Sequence, residues 1–277
     1  MPGFEWIDEE EKNAVASVFE EGGVLFAHGF DKIRKKYHVR EFENKFCDLF
    51  GISRALAVTS GTAAIKIGLK SLGVNKGDEV ITQAFNFVAT IEAILDCGAK
   101  PIICNVNETL NMDPLDLENK ISDKTKAIIP VHMLGVSAEM DEILNISKNY
   151  KLPILEDNCE AIGAKYKNKY LGTIGDVGIL SFDQGKMIAT GEGGMILTNN
   201  NELDNYCRQY HDHGHENNPN FPRGRDTHKI YGFNYRMTEM QAAVGKVQLN
   251  KLSKMLVENK NRAKKLNEIL INKYEFR

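Results

Sequence analysis

The sequence predicts an α/β protein with a mostly parallel central sheet and helices on both of its faces. Two observations carry this. Between residues 55 and 200, short apolar runs of strand length alternate with amphipathic stretches of helical period. That rhythm belongs to strand–helix–strand units, whose crossovers make neighbouring strands parallel. The apolar runs are also nearly continuous, as strands covered on both faces require. At 277 residues the chain can form one large domain, or a large domain plus part of a second.

The elements follow in order. "ALAVTS" reads as a strand, and "TAAIKIGLKSLG" as a helix with Ile65, Leu69 and Leu72 on one face, closed at Gly73. "DEVITQ" is the next strand and "VATIEAILDCG" the next helix, closed by Gly98. "KPIICNV", "TKAIIPV" and "LPILE" read as strands, with "SAEMDEILNISKNY" as a helix between the last two. A further apolar run, "VGILSF", stops at Phe182. Tyr210 to Arg225, "YHDHGHENNPNFPRGR", is polar with Gly and Pro and reads as a long loop. From Thr238 to Tyr274 the helical pattern returns. The sequence carries no internal repeat and no low-complexity segment.

Composition narrows the function classes. The chain is 42% hydrophobic and 26% charged, with net charge -3. No basic patch dominates, so no nucleic-acid partner is expected. The apolar runs are too short and interrupted to span a membrane. The acidic start "MPGFEWIDEEEKNAV" lacks the apolar region of a signal peptide. Cys47, Cys97, Cys104, Cys159 and Cys207 are scattered, odd in number and form no C-x-x-C. Reduced thiols in a cytoplasmic protein are the expectation.

Several stretches can carry chemistry. "TSGTAA" places Ser60, Gly61 and Thr62 between a strand and a helix. Small residues and free amides there suit a phosphate, and Ser60 or Thr62 equally suits an N-cap. "ILEDNCEA" puts Glu156 and Asp157 at the carboxyl end of an apolar strand, where open α/β sheets bind ligands, with Glu160 close behind. An acid there can pair with a protonated ring nitrogen or cap a loop. Lys186 follows "SFDQG" at what should be the same edge. A lysine partly withdrawn from water can act as a nucleophile, and a loop lysine can equally be solvated. "TGEGG" allows a sharp bend with little side-chain bulk. His211, His213 and His215 alternate on a loop, which is no zinc pattern, so no metal is expected.

The order of these stretches decides between the readings. "SGTAA", "GDEVI", "VHMLG", "EDNCEAIGA", "GTIGDVG", "SFDQGK", "TGEGGMI" and "GFNYRMTEMQAA" occur in the sequence that the DegT/DnrJ/EryC1/StrS aminotransferases share. The chain resembles that family over nearly its whole length. The resemblance implies the fold type I of pyridoxal 5'-phosphate (PLP) enzymes, acting on keto sugars with glutamate as the expected amino donor. By position, Lys186 matches the family's Schiff-base lysine, and Asp157 the acid that pairs with the pyridinium nitrogen. Phe87 matches the aromatic residue stacked on the cofactor ring. Gly61, Thr62 and Ser181 match phosphate-binding positions. Asn234 matches a residue reaching the phosphate from the neighbouring subunit, which implies a homodimer with shared sites. Arg236, close behind, is expected to bind substrate or tie the loop to a carboxylate such as Glu239. Glu160 stands where many members carry Gln or His near the ring oxygen.

The resemblance also implies a division of the chain. Residues 1–245 form the large PLP-binding domain with an N-terminal helical segment, and 246–277 the helical start of a small C-terminal domain. Relatives continue for roughly another hundred residues, a domain of ordinary small size, so the chain is expected to be a fragment or a truncated form. "DHGH", "PGFE" and "FAHGFDKIRKKYHVREFENKF" resemble a subgroup that aminates 8-oxo-3-deoxy-octulosonate, a lipopolysaccharide sugar acid. Three alternatives stand beside the aminotransferase: a PLP-dependent sugar dehydratase, a non-catalytic PLP- or sugar-binding protein, and a nicotinamide oxidoreductase. Dehydratases of this branch carry histidine in place of the lysine. No G-x-G-x-x-G follows the first predicted strand, which argues against the oxidoreductase.

Overall fold

In the computed structural model, which describes residues 3–218 and 220–271, the helical start comes first. Helix α1 (Glu9–Glu20) opens with a reciprocal cap in which Asp8 and Glu11 each take the other's backbone amide. Helix α2 (His38–Phe50) ends at Gly51, whose φ of 65° is left-handed.

The α/β rhythm then begins. It runs β1 (Arg54–Val58), α3 (Gly61–Ser71), β2 (Glu79–Gln83), α4 (Val88–Asp96), β3 (Lys100–Cys104), α5 (Pro114–Lys120), β4 (Thr125–Ile129), α6 (Met140–Tyr150) and β5 (Leu155–Asp157). A two-residue hairpin, β6 (Lys165–Tyr166) with β7 (Lys169–Tyr170), leads to β8 (Val177–Ser181) and β9 (Gly194–Thr198). Helices α7 (Asn201–Tyr210) and α8 (Glu239–Ile271) follow.

The strands lie in the orders β1-β9-β8-β5 and β3-β2-β4. Parallel bridges Ile128–Ile154 and Val131–Asp157 join the two groups at β4 and β5. β2 pairs in parallel with β3 and β4, and β5 with β8. Strand β9 is the exception, antiparallel to both β1 and β8. The sequence pattern shows "GMILT" only as the tail of a glycine bend. The chain instead turns back after Ser181 and inserts β9 beside the strand it has just left. Lys186 therefore sits in a hairpin connection.

Both faces of the sheet are covered, and strands β1, β8 and β9 alternate between two of the hydrophobic cores as their pleat requires. Leu56, Val58, Val177, Ile179 and Ile196 join the core under α3 and α4. Ala55, Ala57, Leu180, Phe182, Met195 and Leu197 join the opposite core with α2 and α8. In that second core Phe182 packs against Phe42 and Phe46, with ring centroids 5.3 and 5.6 Å away. The last residue of "VGILSF" thus anchors the end of β8 where the lysine turn begins.

Helix α8 starts with a second reciprocal cap between Thr238 and Gln241. It runs unbroken through residues 245 and 246, and buried side chains continue to Met255. Residues 272–274, the last of the helical reading, lie outside the described residues.

Candidate active site

The carboxyl ends of β5 and β8 and the first turns of α3 and α4 meet around a cavity of 320 Å³. All the sequence-predicted site residues except Asn234 line it: Gly61, Thr62, Phe87, Asp157, Glu160, Ser181 and Lys186. This is the edge at which open α/β sheets hold ligands.

The turn that carries Lys186 is built by Asp183. The Asp183 carboxylate accepts the Gly185 amide at 2.8 Å, and its carbonyl accepts the Lys186 amide at 2.9 Å. The Gly3 amide donates to the Lys186 carbonyl at 2.6 Å, so the N-terminal segment braces the turn from outside. The Lys186 side chain is 21% exposed. Its Nζ lies 3.4 Å from Glu160 Oε1 and 5.9 Å from the centre of the Phe87 ring. Phe87 precedes the first turn of α4 and presents an exposed aromatic face. Glu160 Oε2 also accepts the Leu134 amide at 3.4 Å.

"TSGTAA" serves both of the uses open to it. Ser60 caps α3, its hydroxyl oxygen accepting the Ala63 amide at 3.1 Å. Gly61 and Thr62 come before Ala63 in the first turn, where helix geometry supplies no acceptor for their amides. A side chain at Gly61 would meet Ser181 Cβ at 2.8 Å, so only glycine lets the helix start approach the end of β8. At Gly194 a Cβ would lie 2.4 Å from the Ser60 carbonyl oxygen. The glycine bend is thus the place where β9 passes against the cap of α3.

The two acids of "ILEDNCEA" part company. Glu156 is fully buried and accepts backbone amides of Gly172, Ile174 and Gly175 at 2.9, 2.6 and 2.5 Å. The His132 ring completes its shell: Nδ1 accepts the Ala138 amide, which leaves Nε2–H to donate to Glu156 at 3.0 Å. Glu156 is therefore a clamp on the 172–175 turn. Asp157 lines the cavity and receives less: the Thr90 hydroxyl at 2.8 Å on Oδ2 and the Cys159 amide at 3.2 Å on Oδ1. Burial, with the Asp157 charge beside it, pushes the Cys159 thiol well above its ordinary range.

Asn234 lies elsewhere. It is exposed, and its backbone bridges Asp212. The next residue, Tyr235, accepts the Thr59 amide at 2.9 Å. Its long separation in sequence from the Gly61–Thr62 turn therefore collapses in the fold, although its side chain does not line its own chain's cavity. Arg236 does not line the cavity and bonds the fully buried Asp212 at 2.5 Å. Its partner is thus Asp212. Glu239 pairs with Arg34 at 2.9 Å. Arg223 pairs with Asp212 too, and His28 lies 3.5 Å from it.

The histidine loop is ordered around this acid. Burial pushes His28 down to about 4; Asp212 opposes the shift, and the guanidinium groups of Arg223, Arg40 and Arg236 add to it. Burial and the neighbouring His28 push His211 down to about 3. The His215 and His228 rings lie with centroids 4.2 Å apart, tilted by 48°. Among the described residues no three His, Cys, Asp or Glu side chains are grouped to hold a metal ion.

Thr90, Cys159, Asp183 and Glu192 also line the cavity, and the sequence reading passes over them. Spacing holds a signal for two: Thr90 is one helical turn from Phe87, and Cys159 two residues from Asp157.

The fold and the cavity define an α/β protein of the type shared by PLP-dependent aminotransferases. Residues 7–276 match the DegT/DnrJ/EryC1/StrS aminotransferase family, and the chain belongs to it. It is 40% identical over 216 residues to the GDP-perosamine synthase of Escherichia coli O157:H7, which covers 78% of this chain and 58% of that protein. A structure of GDP-4-keto-6-deoxymannose-3-dehydratase with bound GDP-perosamine superposes with a TM-score of 0.85 at 29% identity, covering 95% of this chain and 70% of that one. NtdA from Bacillus subtilis, solved with bound cofactor PMP, gives a TM-score of 0.79 at 34% identity, covering 91% and 55%. The chain spans 58% and 57% of the two GDP-perosamine synthases from E. coli and Caulobacter vibrioides. Among the described residues no helix is long and apolar enough to cross a membrane, and all five cysteines are free.

Proposed function

We propose that this chain is the cofactor-holding part of a PLP-dependent aminotransferase that moves an amino group from glutamate to a keto or aldehyde sugar. The observation that carries the reading is the meeting of Lys186, Asp157, Phe87 and the Gly61–Thr62 turn in one cavity.

The residues present fit the cofactor. The first amides of α3 and the Ser181 hydroxyl suit its phosphate, and the close approach that Gly61 allows brings the two together. The exposed Phe87 ring can cover a flat heterocycle. Asp157 has acceptor capacity left for a protonated ring nitrogen. When bound, pyridoxal phosphate supplies an aldehyde for an amine and a ring that withdraws electrons from the substrate carbon.

Each side chain then has a task of its own. Lys186 Nζ is the amine that holds the cofactor and, once released, takes the proton from the donor's α-carbon. Asp157 keeps a proton on the ring nitrogen. Glu160, at 3.4 Å, orients Nζ.

The substrate is a sugar for lipopolysaccharide or another surface glycan. GDP-perosamine synthases among the relatives support a nucleotide-linked keto sugar, and the octulosonate stays a candidate from the sequence resemblance. The second reading, a sugar dehydratase, is favoured by the neighbour with a TM-score of 0.85. Lys186, in place of that branch's histidine, speaks for aminotransfer. We also place Asn234 at the phosphate of a partner subunit in a symmetric dimer, because its exposed side chain leaves its own cavity alone. The reading further includes a cytoplasmic location, with the small domain continuing from α8.

Borohydride treatment of the PLP-loaded protein tests the centre of this reading. A visible band should vanish, and the added mass should map to the peptide containing Lys186. A screen of keto sugars with glutamate, read by mass spectrometry, then separates an amino-sugar product from a deoxy product. A label on another lysine would overturn the assignment.

A further inference from the structure

Thr90 is 1% exposed and lies in the first turn of α4. A helical threonine usually turns its hydroxyl to a carbonyl of the preceding turn. Thr90 instead donates to Asp157 Oδ2 at 2.8 Å, on a strand far along the chain. Its own amide is satisfied by the Phe87 carbonyl at 3.2 Å. The Cys159 amide holds the other carboxylate oxygen at a longer 3.2 Å. Thr90 is thus the stronger of the two tethers on Asp157, and valine would fill the same volume without one.

We propose that Thr90 is a positioning residue for Asp157. Its hydroxyl fixes the plane of the carboxylate and keeps it an acceptor toward the cavity. Phe87 immediately precedes this same turn of α4, so one helix start sets both the aromatic wall and the acid. This rests on the cavity's being a PLP site.

The test compares Thr90→Val, which removes the donor, with Thr90→Ser, which keeps it. The readouts are the dissociation constant for PLP, the pH titration of the visible band and the melting temperature of the cofactor-free protein. A hydrogen bond to a charged group predicts about ten- to a hundredfold weaker binding in Thr90→Val and a displaced titration. Thr90→Ser should stay within about threefold. In an Asp157→Asn background, Thr90→Val should add less than about twofold, because both changes act on one carboxylate. Wild-type affinity and titration in Thr90→Val would overturn the proposal. So would equal losses in the two variants, or an undiminished loss in the Asp157→Asn background. If Thr90→Val does not fold, Thr90→Ala removes the same donor and takes its place. A wild-type protein that takes up no PLP would overturn the reading of the cavity and this proposal together; a failure at Thr90 alone would leave the cavity reading standing.

Discussion

Two buried aspartates show how this molecule separates structure from chemistry. Asp212 is fully buried and saturated: Arg223 and Arg236 both bind it, and its backbone pairs with Asn234. Burial acts to raise its pKa, but the Arg223 hydrogen bonds and the charges around it hold the carboxyl well below the usual range. Asp157 is 4% exposed and receives a hydroxyl and one amide, both neutral. A carboxylate with all its partners ties segments together. One kept short of partners at the wall of a cavity is available to a ligand.

The sharpest cut falls on the cavity side. Lys186→Ala should abolish both the visible band of the PLP-loaded protein and turnover while the fold survives; spectroscopy and circular dichroism check the two halves. Turnover near the wild-type level would remove Lys186 from the chemistry. Next, Asp157→Asn should lower turnover by about 10²–10⁴-fold, the range for a positioned proton-holding group. Its melting temperature should move by no more than about 3 °C, since the amide keeps the shape and the lost partners are neutral. A large fall in stability would make Asp157 a structural acid like its counterpart.

The opposite profile belongs to Asp212→Asn. It leaves two guanidinium groups without their carboxylate, at a cost of about 3–5 kcal/mol, or roughly 10 °C in Tm. Thermal melts of the cofactor-free protein measure it. A variant as stable as wild type would show that the cluster contributes nothing.

The smallest effect is graded. His28 and His211 have folded-state pKa values below their ordinary 6.5, at about 4 and about 3. The unfolded chain therefore binds more protons in that interval, and stability must fall as pH drops from 6.5 toward 4. Tm should decline by about 5–10 °C between pH 7 and pH 4.5. His28→Gln should flatten that slope, and an equal slope in the variant would exclude His28 as its source.

Much of the fold was legible because apolar strands and glycine-closed helices announce themselves locally. "DEVITQ" and "VATIEAILDCG" fall on β2 and α4. Strand β9 was hidden since its neighbours β1 and β8 are chosen by the sheet and not by the residues around Gly194. The same limit governs the acids. Nothing local tells Glu156 from Asp157; the difference comes from His132, the 172–175 amides and Thr90, all remote in sequence. The likeness to the family put seven residues at one cavity, but the partners that orient them are tertiary. Arg236 shows the cost of reading nearby carboxylates only: its partner is Asp212, not Glu239.

The insertion of β9 has a consequence for synthesis. Arg54 pairs with Thr198 and Val58 with Gly194, and among the described residues no strand that precedes β9 in the chain pairs with β1. At roughly 5–20 residues per second, β1 emerges several seconds or more before its partner exists. During that interval Ala55 to Val58 present an unpaired apolar edge, the kind of surface that recruits other chains. Translation must pass Thr198 before the sheet can close. A pause in the message ahead of that codon would lengthen the exposure, and one after it would not.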